Sequence, residues 1–164
     1  MEISKANTDD SVQIGSLLVD AWRHAYKDIM SASLLEGLSV QKRSAGWKKH
    51  LESGAEVYFL KNKTEISGVV EVCKFRDKID RFTQYTEIPV LYLKPNAIGK
   101  GYGSSLLNYA HKRISEYDSE GTALWVLEKN LAGIDFYKKH GYSYCGEHKL
   151  HNADLVEHLY TKIA

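Results

Sequence analysis

Apolar residues recur every three to four positions near the start of the chain. The apolar face consists of Ile14, Leu17, Leu18, Ala21, Trp22 and Ala25. This period predicts an amphipathic helix, with Thr8 as its N-cap and Asp9 and Asp10 in a first turn that favours negative charge. A short apolar turn and a second helix after Ser39 follow, so the chain is predicted to begin with helices. Their apolar positions are Leu34, Leu35 and Leu38 in the turn, and Val40, Trp47 and Leu51 in the helix.

The period then changes to that of strands. Residues 56–60 and 66–75 are rich in β-branched and aromatic side chains, and together they predict a hairpin with a turn at residues 61–63. Gly68, inside the second strand, is expected to mark a bulge. A further strand is predicted over residues 84–93, ending just before Pro95.

In the second half of the chain, glycines mark a predicted turn and the end of a predicted helix. The turn Gly99-Lys100-Gly101-Tyr102-Gly103 follows the strand, and helical spacing then runs from Tyr102 to Tyr117. The uniformly apolar run at residues 122–127 predicts a central strand buried on both faces. A short helix at residues 131–140, ended by Gly141, precedes the last two strands, residues 142–145 and 155–161.

Length and charge narrow the class of protein. A chain of 164 residues without a linker-like segment predicts one domain over residues 1–164. A net charge of +1 argues against a nucleic-acid-binding stripe. Two cysteines without paired spacing, Cys73 and Cys145, argue against a disulfide framework. With no signal-like start and no apolar run approaching roughly 18 residues, we expect a soluble, cytoplasmic protein.

The glycine turn is the strongest candidate for chemistry. Glycines allow several backbone N–H groups to converge on an anion, and the positive end of the following helix adds to the attraction. A Walker A loop is excluded because the turn lacks its Gly-Lys-Ser/Thr ending, and a kinase loop because its downstream motifs are missing. A dinucleotide site would need Gly or Ala in place of Ser104, and its turn would open a βαβ unit. Here helices and a hairpin precede the turn, so a dinucleotide site is disfavoured. By spacing alone, a surface turn without a ligand stays an equal alternative.

Two longer segments resemble a known family. Residues 91–103, Leu-Tyr-Leu-Lys-Pro-Asn-Ala-Ile-Gly-Lys-Gly-Tyr-Gly, are similar to motif A of the GNAT superfamily of N-acetyltransferases. Residues 130–142, Asn-Leu-Ala-Gly-Ile-Asp-Phe-Tyr-Lys-Lys-His-Gly-Tyr, resemble the family's Asn, Phe-Tyr, Gly-aromatic signature, and the stretch at residues 21–26 resembles a bacterial branch. Ile98 departs from the usual Arg or Gln, and Gly133 from the usual Ala; neither change removes a backbone amide.

The resemblance implies an α/β fold with helices flanking a mixed, mostly antiparallel sheet of about six to seven strands, in which one parallel pair splays apart. It also implies that acetyl-CoA is the cosubstrate and lies in that opening. Pantetheine would pair with the strand backbone at residues 91–93, and the pyrophosphate would lie on the turn. The residues implied to bind the coenzyme are Leu91, Tyr92, Leu93, Ile98, Gly99, Lys100, Gly101, Tyr102, Gly103, Ser104, Asn130, Gly133, Phe136 and Tyr137.

Catalytic roles follow from the same resemblance. Tyr137 occupies the position whose phenol protonates the leaving coenzyme sulfur, although an ordinary core aromatic is its alternative reading. Glu87 is the candidate base, acting directly or through water, and its alternative is a solvated edge carboxylate. Tyr26 is a candidate lining residue of the acceptor pocket. His148 and His151 lack the partners of a metal site, so no metal is expected.

The implied activity is direct acetyl transfer from acetyl-CoA to a primary amine of a small molecule or peptide, without a covalent enzyme intermediate. A non-catalytic coenzyme A-binding regulator of the same fold is the alternative. The acceptor would be shaped by the N-terminal helices, the charged loop at residues 76–83 and the segment at residues 146–154. A homodimer is implied only by family analogy, and neither nucleic acid nor membrane is an expected partner.

Overall fold

The computed structural model describes residues 2–62, 64–152 and 154–164. The helices are α1 (Ser11–Ala25), α2 (Ala32–Glu36), α3 (Val40–Glu52), α4 (Tyr102–Ile114) and α5 (Leu131–Lys139). The strands are β1 (Glu2–Lys5), β2 (Glu56–Asn62), β3 (Glu65–Lys74), β4 (Tyr85–Leu93), β5 (Gly121–Leu127), β6 (Ser143–Asn152) and β7 (Leu155–Ile163).

The strands form one mixed sheet of order β1-β2-β3-β4-β5-β7-β6. Strands β4 and β5 are parallel, whereas the pairs β1–β2, β2–β3, β5–β7 and β7–β6 are antiparallel. The parallel register joins Tyr85 to Gly121 and ends with Glu87 opposite Ala123. A mixed, mostly antiparallel sheet with a parallel pair and flanking helices confirms the predicted fold class. The splaying of that pair stays a prediction.

The chain begins with a strand, so the prediction that it begins with helices was wrong. Strand β1 pairs antiparallel with β2, from Glu2 opposite Lys61 to Lys5 opposite Tyr58. Only Ile3 and the flanking Ala6 are apolar in this stretch, so no alternation announces the strand. Its backbone partner lies more than fifty residues further along the chain, where no local pattern can reveal it.

The predicted N-cap of the first helix also shifts by one residue. Asn7, not Thr8, accepts a hydrogen bond from the Asp9 N–H at 2.8 Å, and the Asp10 carboxylate accepts the Asn7 N–H at 3.0 Å. This capping box closes a single 3₁₀ turn over Thr8–Asp10, from which α1 continues. Asp9 and Asp10 lie in this 3₁₀ turn, whereas the first turn of α1 itself contains no acidic residue, contrary to the prediction.

The described residues fall into two compact units, of which the first contains the chain up to Val72 together with Val90–Arg113. In its core, α1 and α3 pack on the hairpin of β2 and β3. The buried side chains of this core include Ile14, Leu17, Leu18, Leu51, Val57, Phe59 and Val69. The hairpin confirms the prediction for residues 56–75, although its predicted turn includes Lys63, which lies outside the described residues.

The predicted bulge lies next to Gly68. Leu60 pairs with Gly68 and Lys61 with Ile66, so Ser67 is the extra residue on β3. The Ser67 carbonyl instead accepts the N–H of Lys94 at 2.9 Å, just after β4. A Cβ at Gly68 would lie 2.5 Å from Leu93 Cδ2 and 2.7 Å from Leu106 Cδ1, so glycine permits this close packing.

The second unit contains Cys73–Pro89 and Ile114–Ala164. Strand β5 is buried along nearly its whole length and lies inside the sheet, as its apolar run predicted. Strand β6 was predicted to end at residue 145 but continues to Asn152, with Gly146 at φ 95° within it. Most of the predicted segment 146–154 is therefore strand; Ala153 lies outside the described residues. The single domain over residues 1–164 stays a prediction.

Candidate functional site

The glycine turn lies between β4 and α4, in the first unit. Pro95 opens a short 3₁₀ turn, Pro95–Ala97, and α4 then begins at Tyr102. Gly99 and Gly101 have φ of 78° and 79°, a left-handed conformation that other residues adopt at a cost. A Cβ at either glycine would meet no atom within 4 Å. Glycine is therefore favoured at these two positions by the left-handed backbone conformation and not by steric crowding.

The same turn is accessible to a ligand. Ile98 is 51% exposed, and Gly99, Lys100 and Gly101 are exposed as well. Ser105 donates its N–H to the Gly101 carbonyl at 3.0 Å, which begins the hydrogen bonding of α4. The N–H groups of a helix's first turn have no acceptor within the helix and point along its axis. Gly103, by contrast, is buried inside α4 and has no positive φ.

Leu91, Tyr92 and Leu93 end β4 as half-buried residues. The Tyr92 phenol is hydrogen bonded to that of Tyr26 at 2.8 Å, and both rings pack edge-on at 6.5 Å between centroids. Trp22 joins them at 5.3 Å from Tyr26. Tyr26 is only 7% exposed, so the structure shows it as a packed aromatic residue; its role in acceptor binding stays a prediction.

A groove of about 590 Å³ lies in the first unit beside the start of the glycine turn. It is lined by Asp20, Arg23, His24, Lys27, Glu65, Lys94, Pro95 and Asn96. Arg23 donates to the carbonyls of Leu35 and Leu38, and Lys94 pairs with Glu65 at 3.3 Å. None of the predicted site residues lines this groove, and we assign it no ligand.

Asn130 caps α5, as the sequence predicted. Its side-chain oxygen accepts the Gly133 N–H at 3.1 Å. A Cβ at Gly133 would lie 2.6 Å from Asn130 Nδ2 and 3.0 Å from its Cγ. Glycine at position 133 therefore makes room for this cap, which gives a structural reason for the departure from the usual alanine.

Tyr137 projects from α5 as a half-buried side chain. Its ring lies 5.2 Å from that of Phe136 and 5.8 Å from that of Tyr142, both edge-on. Burial, helped by the neighbouring Tyr137, raises the pKa of Tyr142 well above its usual range, and a hydrogen bond with Thr122 only partly offsets this. Tyr142 thus stays a neutral phenol beside Tyr137.

Glu87 is buried, so its alternative reading as a solvated edge carboxylate was wrong. The residue is 1% exposed. Its carboxylate accepts the Arg76 N–H at 3.1 Å, Nε at 3.0 Å and Nη2 at 2.7 Å, the last two as a bidentate pair. Glu87 pairs in register with Ala123, so the two side chains share a face of the sheet.

The sequence missed the ion pairs of the charged loop at residues 76–83. Besides the Arg76 pair, Arg81 donates to Glu147 at 2.8 Å and to the Cys145 carbonyl at 3.0 Å. Phe82, 5% exposed, anchors the loop in a small core with Ala123 and Leu159. The loop is therefore held by the buried Phe82 and by the hydrogen bonds of Arg76 to the buried Glu87, and it is not merely solvated. The contact of Arg81 with Glu147 spans 66 residues, so no local spacing could have indicated it.

Solved structures of acyltransferases share this fold. A PaiA N-acetyltransferase from Thermoplasma acidophilum in complex with coenzyme A matches with a TM-score of 0.78 at 20% identity, over 99% of this chain and 98% of that one. A ribosomal-protein-alanine N-acetyltransferase from Brucella melitensis gives 0.75 at 20% identity over 100% of both chains. The acetyltransferase YncA from Salmonella typhimurium, solved with acetyl-CoA, gives 0.71 at 18% identity, over 99% and 93%.

The fold is the one that these N-acetyltransferase structures share, and the glycine turn lies between its β4 and α4. The model of the acetyltransferase (GNAT) family matches residues 13–142, and the chain belongs to that family. This confirms the resemblance read from residues 91–103 and 130–142. Among the described residues, none of the helices combines the length and apolar character needed to cross a bilayer. The cytoplasmic location stays a prediction.

Proposed function

We propose that this protein transfers the acetyl group of acetyl-CoA directly to a primary amine of a small molecule or peptide. The observation that carries the proposal is the exposed turn with two left-handed glycines at the start of α4, in a chain of the GNAT family. The residues fit the coenzyme: Gly99 and Gly101 present backbone without side chains, and Lys100 adds a positive charge. The structures of relatives with coenzyme A and acetyl-CoA support the same assignment.

In the first unit, we assign the turn and the end of β4 to holding the coenzyme. The turn's N–H groups would donate to the pyrophosphate, and the backbone of Leu91–Leu93 would pair with the pantetheine amides. Acetyl-CoA itself supplies the activated thioester. Taken by itself, the second unit offers Asn130, Gly133 and Phe136 as candidate coenzyme contacts.

In the second unit, two residues would move protons. A lysine-like amine with a pKa of about 10.4 must lose a proton at a cost of roughly 4 to 5 kcal/mol near neutral pH, so a base is useful. We propose that Glu87, or a water chain leading to it, takes that proton. Its oxygens already accept three hydrogen bonds from Arg76, so Arg76 would orient the carboxylate. Tyr137 would protonate the departing thiolate.

The test is an acceptor panel with free thiol release and product mass as separate readouts. Acetyl-CoA is incubated with diamines, aminoglycosides, amino acids and peptide N-termini. We expect at least one acetylated amine, formed in step with coenzyme release, and initial-rate patterns that intersect. Coenzyme binding without any product would favour the regulatory alternative, and parallel ping-pong patterns would contradict direct transfer.

A further inference from the structure

Trp125 and Asp77 form a polar pair in the second unit. The indole Nε1 of Trp125 donates to Asp77 Oδ2 at 2.8 Å. Trp125 lies on β5 two residues beyond Ala123, so it shares a sheet face with Ala123 and Glu87. The hydrogen bond fixes the carboxylate at the edge of the indole ring. A carboxylate beside an aromatic face is an arrangement that attracts cations.

The chain supplies a cation to this pair. Lys149, on β6, donates from Nζ to the same Asp77 oxygen at 2.8 Å. The same nitrogen lies 4.1 Å from the centroid of the Trp125 ring, within the usual range of a cation–π contact. The Lys149 ammonium, on its unbranched four-carbon stem, therefore contacts both the Asp77 carboxylate and the face of the Trp125 ring.

The charge of Asp77 suits the same role. Partial burial acts to raise its pKa, but hydrogen bonding and charge from Lys149, the Trp125 N–H and the charge of Arg76 outweigh it and lower the pKa of this carboxyl below its usual value. Asp77 is therefore ionised at neutral pH. The neighbouring Arg76 is engaged with Glu87 and leaves Asp77 to Lys149.

Solvent reaches the ion pair of Asp77 and Lys149, so another cation can replace the Lys149 ammonium. The side chains of Asp77 and Lys149 are 36% and 38% exposed. Ion pairs with this exposure contribute little to stability, because water solvates the separated charges almost as well. The Lys149 ammonium can therefore swing into solvent at low cost and leave the indole face and the carboxylate to another ammonium group.

We propose that Trp125 and Asp77 form a binding site for the ammonium group of an unbranched alkylamine, which Lys149 fills when no ligand is bound. If the proposed acetyl transfer is correct, this ligand is the amine acceptor or a second ammonium group on it. An anion is repelled by Asp77, and an uncharged chain gains no cation–π attraction. A quaternary ammonium cannot donate to the carboxylate. The site therefore selects for charge and for N–H donors together.

The test follows the Trp125 indole N–H signal by NMR, without acetyl-CoA. The probe is n-butylammonium, which matches the stem of lysine, and n-butyrate is the matched anion. The signal is assigned with Trp125→Phe. We expect n-butylammonium, and not n-butyrate, to shift it. Lys149→Met removes the internal competitor and should tighten binding by about twofold to fivefold.

Asp77→Asn should weaken binding by about twofold to fivefold, because the charge of a partly exposed ion pair is lost. Asp80→Asn, in the same loop, and Lys138→Met, on α5, are matched controls that should bind as the wild type does. An unshifted indole signal, or a Lys149→Met variant that binds no more tightly than the wild type, would overturn the proposal. Because no acetyl-CoA is present, that result would leave the acetyl-transfer proposal untouched, and missing transferase activity would leave this one untouched.

Discussion

At the scale of single residues, the two side chains of the Glu87–Arg76 ion pair differ strongly in their exposure to solvent. The Glu87 side chain is 1% exposed, whereas that of Arg76 is 61% exposed. Loss of the arginine would leave a buried carboxylate without its cation, but loss of the carboxylate would leave a guanidinium that water can solvate. The two partners should therefore contribute differently to folding, although they share the same hydrogen bonds.

We predict that Arg76→Gln lowers the free energy of unfolding by about 2 to 3 kcal/mol, below the loss at a fully buried pair because Arg76 is largely exposed. Glu87→Gln should cost less, about 1 to 2 kcal/mol, because the amide oxygen still accepts from Arg76 whereas the amide NH2 cannot, and the released guanidinium is solvated. Urea denaturation at neutral pH measures both. Equal losses in the two variants would contradict this unequal pair.

Glu87→Gln also tests the proposed base. If the carboxylate accepts the amine proton, the variant should lose the acidic limb of the kcat/KM profile and turn over more slowly. Glu120→Gln removes an exposed carboxylate between α4 and β5 and serves as the control, with an unchanged profile. A Glu87→Gln profile identical to that of the wild type would dismiss Glu87 as the base.

Tyr137→Phe tests the proposed general acid. Because only the phenol oxygen is removed, we expect kcat to fall by about a hundredfold with little change in acetyl-CoA affinity. Tyr117→Phe, an exposed tyrosine after α4, is the control. Steady-state rates and calorimetric titration separate the two effects. Unchanged turnover in Tyr137→Phe would eliminate the assignment.

At the scale of elements, the sequence predicted those that residues a few positions apart determine. It missed those that depend on hydrogen bonds to distant strands. The turn before α4 and the Asn130 cap of α5 follow from glycine and side-chain capping within a few residues, and both were predicted. Strand β1 and the extension of β6 depend on backbone partners elsewhere. Strand β6 ends the sheet order and carries mainly exposed, polar positions, so no apolar alternation marked it.

The packing of α1 on α3 gives a prediction at the same scale. A Cβ at Gly15 would lie 2.7 Å from the Ser44 backbone nitrogen and 2.9 Å from its Cα, so Gly15→Ala must push the helices apart. We expect a loss of about 1 to 3 kcal/mol. Gly46→Ala, also helical but with nothing within 4 Å, should gain about 0.5 to 1 kcal/mol. Thermal or urea unfolding compares them, and a stabilised Gly15→Ala would refute the close approach.

At the scale of the molecule, the proposed machinery is divided along the chain. The first unit contains the glycine turn, and the second contains Glu87, Tyr137 and the Trp125 pair. With a net charge of only +1, net charge adds little long-range attraction for a charged acceptor, so we expect recognition to depend on local contacts. The sequence identified the family from two short motifs. It could not reveal the contacts of Asp77, because Trp125 lies 48 positions and Lys149 lies 72 positions further along the chain.

Calorimetric titration of acetyl-CoA into Gly101→Ala tests the central claim most directly. Alanine at φ 79° costs about 1 to 2 kcal/mol, so the turn should relax in the free protein and bind acetyl-CoA about tenfold more weakly. Gly54→Ala is the matched control, because Gly54 has φ 87° and equally open surroundings. The account predicts weakened binding in Gly101→Ala and wild-type binding in Gly54→Ala. Equal affinities in all three proteins would contradict it.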